Sequence, residues 1–167
     1  MTARRINAIG TLAVLASCQP PPSADAPPAV EYLVSDATRE AGLPFSDAVR
    51  VGHMIYVSGQ IGIVPGASEL VPGGIGPETR QTLENIRAIL ETHGSSMDRV
   101  VKCTAMLADI REWEAMNEVY VTFFRGPLPA RSALGANGLA LGARVEIECW
   151  ATVAEVTGGS AAARMER

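Results

Sequence analysis

An arginine and two glutamates hold the chemistry that the sequence puts on offer. Arg131 lies in Pro129-Ala130-Arg131-Ser132, and Glu146-Ile147-Glu148 begins fifteen positions after it. Both stretches read as extended, with glycines between them, so they place one guanidinium and one or two carboxylates on neighbouring strands. A guanidinium is a planar fork that grips a carboxylate through two parallel hydrogen bonds. A carboxylate close by can position or activate a water. Together they make a small site for hydrolysing a small acid, and such a site calls for neither metal nor cofactor. The same residues also describe an ordinary exposed ion pair, which is common and weak.

The elements that must position these groups alternate along the chain. Ala48 to Val51 and Met54 to Ser58 read as short strands joined by a tight turn at Gly52-His53. Pro65 to Gly76 is a Gly- and Pro-rich loop, and Gly76-Pro77-Glu78 then opens a helix. Leu83, Ile86 and Leu90 form its apolar stripe, and Gly94 stops it. Arg99 to Leu107 is a strand. Asp109-Ile110-Arg111-Glu112 resembles a capping box for a helix running to about Phe124, with Trp113, Met116, Tyr120 and Phe123 inside. Gly126-Pro127-Leu128-Pro129 breaks it. Ala130 to Ala136 and Arg144 to Val156 are the last strands. In the final one Val145, Ile147, Cys149, Ala151 and Val153 share one face, and Glu146, Glu148 and Trp150 the other. Strands alternating with two helices predict an α+β sandwich with one helical layer.

Seven segments, taken in order, resemble the RidA (YjgF-like) family of enamine/imine deaminases. They are Leu43-Pro44-Phe45-Ser46-Asp47-Ala48-Val49, Val57-Ser58-Gly59-Gln60-Ile61, Gln81-Thr82-Leu83-Glu84-Asn85-Ile86, Val101-Lys102-Cys103-Thr104, Met116-Asn117-Glu118-Val119-Tyr120 with Phe123-Phe124, Pro129-Ala130-Arg131-Ser132 and Val145-Glu146-Ile147-Glu148. The resemblance covers about Leu43 to Glu155. It implies a chorismate-mutase-like fold, a mixed sheet with two helices packed on one face, assembled as a homotrimer with sites in the clefts between subunits. It implies that Arg131 holds the substrate carboxylate and that Glu146 handles the hydrolytic water, with Glu148 as understudy. It implies further that Ser58, Gly59 and Gln60 border the pocket, where glycine allows close approach, and that Phe45 forms part of its wall. Asn117 reads as structural, a cap or a bridge between subunits. His53 and His93 match no catalytic pattern, although His93 suits a helix C-terminus. Two departures bear on activity. Phe45 stands where many relatives carry a tyrosine, and Ala133 where some carry cysteine. The substrates implied are small reactive enamine or imine acids, of the 2-aminoacrylate or 2-iminobutanoate type, converted to 2-keto acids and ammonia. A non-catalytic carboxylate-binding module and a chaperone-like envelope trimer stay open as alternatives.

The N-terminus points to export. Arg4-Arg5 precede a short apolar stretch, Ile6 to Ala16, too short to span a bilayer. Leu15-Ala16-Ser17-Cys18 looks like a lipobox, which predicts a signal peptide over residues 1–17, lipidation of Cys18 and a periplasmic, lipid-anchored protein. Residues 1–17 hold two arginines and no acid, so without them 14 basic side chains fall to 12 against 18 acidic, a formal charge of −6. That balance excludes a nucleic-acid partner, which wants basic faces, and leaves anchoring to the lipid. The Pro-rich stretch after Cys18 reads as a semi-rigid tether within residues 18–42, the domain proper as 43–156, and residues 157–167 as a tail without core pattern. Cys103 and Cys149 make no zinc site. They read as buried thiols, with a disulfide as the alternative in an oxidising compartment.

Overall fold

Residues 27–153 are described by this computed structural model. The expected signal peptide, Cys18, most of the tether and the tail from 157 lie outside the described residues. In chain order the elements are β1 (Val30–Leu33), α1 (Asp36–Glu40), β2 (Ala48–Val51), β3 (Met54–Val57), β4 (Gln60–Ile61), α2 (Ile75–Thr92), β5 (Val100–Leu107), α3 (Trp113–Tyr120), β6 (Ala130–Gly135) and β7 (Val145–Thr152). All seven strands join one sheet in the order β1-β2-β3-β7-β5-β6, with β4 also paired to β7. Only β5 and β6 run parallel. The connection between them is α3 with its flanking turns, as a parallel pair requires a crossover.

One face of this sheet is the core. Along β7 the side chains of Val145, Ile147, Cys149 and Ala151 are fully buried, as are Ala105 and Leu107 of β5. Leu83, Ile86 and Leu90 of α2 and Met116 of α3 meet them from the helical layer. Each such aliphatic side chain contributes about 1.5–3 kcal/mol on leaving water, so the stripe read from the sequence is what fastens α2 to the sheet. The opposite face carries no helix among the described residues. Lys102, Thr104, Met106, Ser132, Glu146, Glu148 and the edge-on pair Tyr56–Trp150 lie there, half-buried or exposed. Among the described residues no helix is long and apolar enough to cross a membrane.

Several expectations are corrected. The sheet begins at β1, in the segment that follows the Pro-rich tether and precedes Leu43, where no strand was expected, and Ser35 caps α1 by accepting from the Thr38 amide. Helix α2 starts at Ile75 after Gly74 (φ +83°), so Pro77 is the third helical residue; its missing N–H costs nothing because the first four amides of a helix have no partner in it. Asp109 caps as expected by accepting from the Arg111 amide, but Glu112 turns away to pair with the Arg144 guanidinium. Helix α3 ends at Tyr120, a 3-10 turn carries Phe123 into the core, and Trp113 is not buried but 42 % exposed. Cys103 and Cys149 stand directly opposite each other on β5 and β7 and form a disulfide rather than two thiols.

Candidate functional site

Arg131 sits on the sheet's edge strand β6 and faces the helical layer. Its register partner is Cys103, whose own partner is Cys149, so it shares the core face with them. Its guanidinium lies 4.6 Å from the ring centre of Tyr120 and 5.8 Å from that of Trp113, and Nη1 points at the Met116 sulfur at 4.0 Å. All three contacts come from α3. Among the described residues no carboxylate pairs with it. The fork is therefore held by aromatic faces and a thioether, which leave its N–H donors without an anionic partner. Close by on α3, the Asn117 side-chain oxygen and the Tyr120 hydroxyl are buried with no hydrogen-bond partner. An orphaned buried polar group costs about 1–3 kcal/mol until something satisfies it. Burial pushes the Tyr120 hydroxyl up to about 12, against the pull of the Arg131 cation.

Glu146 occupies a different setting. It lies on β7 opposite Ile61 of β4, on the helix-free face. Its carboxylate fits into a notch made by Gly59, where a Cβ would come within 2.9 Å of Cδ and 3.2 Å of Cγ. No side chain larger than hydrogen can stand at 59 while Glu146 keeps this position. Burial raises its pKa above the ordinary carboxylate range, and the neighbouring Glu148 charge raises it further. A half-buried carboxylate with elevated proton affinity is suited to take a proton from water and return it.

The two halves do not meet within one chain. The sequence places Arg131 and Glu146 on neighbouring strands, but β5 runs between β6 and β7. The alternation of side chains then sends Arg131 to the helical face and Glu146 to the bare one. Glu146 is in register with Met106, and Met106 with Leu134, not with Arg131.

The remaining candidates divide. Gly59 stands beside Glu146. The Ser58 hydroxyl donates to the Ser46 carbonyl at 2.7 Å, and the Gln60 amide turns back on the carbonyls of Ser58 and Gly59 at 3.2 and 3.3 Å. Both side chains therefore shape the turn that carries Gly59. Phe45 is 50 % exposed on the bend before β2. Glu148 lies beside Glu146 on the bare face, His93 caps the C-terminal end of α2, and His53 is exposed in the β2–β3 turn. Ala133, two residues beyond Arg131, packs against the core. Sequence reasoning missed one device. The Asn85 amide donates to the carbonyls of Ile61 (3.1 Å) and Ile63 (2.8 Å), while Gln81 donates to the Asn85 oxygen at 2.8 Å. This clip ties β4 to α2 and so holds the wall of the Glu146 notch. Gln81 and Asn85 at i,i+4 were a visible pair, but their backbone partners are a matter of tertiary structure. Among the described residues no group of three His, Cys, Asp or Glu side chains is placed to hold a metal ion.

Comparison with known proteins gives this geometry its context. The family model described as Endoribonuclease L-PSP matches residues 36–153. A mouse protein named 2-iminobutanoate/2-iminopropanoate deaminase is 46 % identical over 120 residues, 71 % of this chain and 89 % of that protein. The human protein of the same name is 42 % identical over 132 residues, 78 % of this chain and 96 % of that protein. Among solved structures, E. coli TdcF with bound serine aligns with a TM-score of 0.63 at 31 % identity, covering 66 % of this chain and 89 % of TdcF. With the strand order, the helical layer and these matches in agreement, the chain belongs to the RidA (YjgF-like) family, the one whose model is described as Endoribonuclease L-PSP.

Proposed function

We propose that this protein hydrolyses small reactive enamine or imine acids, of the 2-aminoacrylate or 2-iminobutanoate type, to 2-keto acids and ammonia. The observation that carries this is the Arg131 guanidinium, held by aromatic faces with no carboxylate partner among the described residues. It takes the substrate carboxylate in its fork. Glu146 accepts a proton from water as the oxygen attacks the C=N carbon and passes it to the nitrogen, giving the carbinolamine. It then takes the carbinolamine's hydroxyl proton and delivers it to the departing nitrogen as C=O forms and the C–N bond breaks. The products are the keto acid and ammonia. The imine is already electrophilic, so positioning and proton transfer account for most of the acceleration. Relatives at 42–46 % identity bear the name of this activity.

The reading includes a homotrimer with sites in the clefts between subunits. Arg131 and Glu146 on opposite faces of one sheet support it, because two chains can bring them around one small molecule and one chain cannot. The exposed Phe45, Tyr56 and Trp150 give such an assembly apolar surface to cover. The reading also includes export, with cleavage before Cys18, lipidation of that residue and attachment to the cell envelope, most simply the outer membrane. Its support is Leu15-Ala16-Ser17-Cys18 after a basic and then apolar segment, together with a Cys103–Cys149 disulfide of the kind that oxidising compartments keep. Ribonuclease activity draws no support from the net charge, which is −4 for the whole chain, the same sign as a polyphosphate partner. A carboxylate-binding or chaperone-like envelope trimer without turnover is the second reading. It is favoured by Phe45, which supplies no hydroxyl to the pocket, and by Ser58 and Gln60, whose polar atoms serve their own turn.

The test generates 2-iminobutanoate with a threonine dehydratase and follows 2-ketobutanoate against semicarbazide trapping, using protein from residue 19 onward. Acceleration by wild type that is absent in Arg131→Ala is the expected result. Saturable binding without acceleration by several imines selects the second reading.

A further inference from the structure

An apolar stripe on α3 is buried at one end and open at the other. Trp113, Met116 and Tyr120 follow at i, i+3 and i+7 on one helical face. Met116 and Tyr120 are buried, but Trp113 at the end of the stripe keeps 42 % of its surface in water. A tryptophan left this exposed on the first turn of a helix covers little core. What it does face is the Arg131 guanidinium. The same cation lies over the Tyr120 ring, with the Met116 sulfur beyond.

We propose that Trp113 is a positioning residue for Arg131, an outer aromatic wall that aims the guanidinium fork without neutralising it. This inference rests on the reading of Arg131 as the carboxylate clamp. An acidic side chain would hold the guanidinium more firmly, but it would occupy the N–H edge that a substrate carboxylate needs. Aromatic rings attract the cation through their faces and leave that edge available. Tyr120 and Met116 fix the buried side of the group. On the solvent side Trp113 is in place to stop the long arginine side chain from swinging into water, where it would regain its rotamer freedom. The requirement is for an aromatic face, not for bulk, so phenylalanine should serve at 113 and leucine should not.

The experiment has two arms. In the imine assay, Trp113→Leu is expected to raise KM about two- to fivefold, the range of a solvent-exposed cation–π contact, with little change in kcat, while Trp113→Phe stays near wild type. Native mass and thermal midpoint are recorded for both, so that a folding defect is visible as such. Equal KM values for the Leu variant and wild type, or equal losses for Leu and Phe, overturn the proposal. In the second arm Trp113 is the sole tryptophan, in Trp150→Phe protein, and its emission is followed on titration with butanoate. A saturable change that butyramide does not produce and that Arg131→Ala abolishes is expected; no change with butanoate overturns the proposal. Because butanoate needs no turnover, a protein that binds it this way yet hydrolyses no imine keeps the cradle and loses the deaminase reading, and the reverse outcome does the opposite.

Discussion

The two halves of the site are held by opposite means. Arg131 is a cation on an edge strand, gripped softly by side chains of a single helix, Trp113, Met116 and Tyr120. Glu146 is an anion on an inner strand, gripped by shape, in a notch that exists only because residue 59 has no Cβ. The carboxylate clamp proposed for Arg131 needs its charge available, and the groups around it cannot neutralise it. The base proposed at Glu146 needs an elevated proton affinity, and burial together with the neighbouring Glu148 raises it. On the proposed reading, binding and chemistry are built separately, on opposite faces of one sheet.

The sharpest way to probe that division is to disable each half. Arg131→Ala should cut kcat/KM about 30- to several-thousandfold, the cost of a lost, partly desolvated charge pair, felt mainly as a raised KM. Arg131→Lys should recover only part, since an ammonium has no bidentate fork. Glu146→Gln should instead lower kcat and leave butanoate binding nearly intact. If both variants fail in the same parameter, the division of labour is wrong. Gly59→Ala comes next. It places a methyl group where Glu146 lies, so kcat should fall on the order of a hundredfold with thermal stability close to wild type. A fully active Gly59→Ala enzyme would show that Glu146 works from somewhere else.

Asn85→Ala attacks the frame and not the reacting groups. It removes the side-chain donor to the Ile63 carbonyl and one of two donors to the Ile61 carbonyl, which keeps the Ile63 amide. It should therefore cost about 1–3 kcal/mol of stability by denaturant unfolding, with a smaller loss of kcat as the Gly59 wall loosens. An unchanged unfolding midpoint would mean that β4 does not depend on the clip. The smallest effect expected is on pH dependence. Activity that needs ionised Glu146 should fall as pH drops through an inflection above the ordinary carboxylate range. Glu148→Gln removes the like charge and should move that inflection down, though not to the ordinary value, because burial is the larger cause. An inflection that stays put or moves up would remove Glu148 from the account.

How much of this was legible in the sequence depends on whether periodicity or topology set it. The core face of β7 and the stripe of α2 follow from alternation and from the 3.6-residue repeat, and Leu83, Ile86, Leu90 and Val145 to Ala151 lie where those periods put them. Strand β1 was missed because four residues beside a Pro-rich stretch have no signature of their own; they become a strand by pairing with β2. The exposure of Trp113 was missed because an apolar stripe does not say where its burial ends. Cys103 and Cys149 became partners through register, which spacing alone does not give. The separation of Arg131 from Glu146 had the same origin. Both residues lie on strands as expected, but the insertion of β5 between their strands is a fact of sheet order.

The central claim, that a working site takes Arg131 from one chain and Glu146 from another, can be tested by subunit mixing. Arg131→Ala and Glu146→Gln proteins, each strongly impaired alone, are unfolded together in equal amounts and refolded, and imine hydrolysis is measured at substrate concentrations below the wild-type KM. Random assortment into trimers should restore about one quarter of the sites, those joining the intact arginine of one chain to the intact glutamate of its neighbour. Recovery of about that fraction of wild-type activity is the predicted result. A mixture no more active than its parents, with mixed trimers shown by native mass, would mean that each site uses one chain only and would contradict the account.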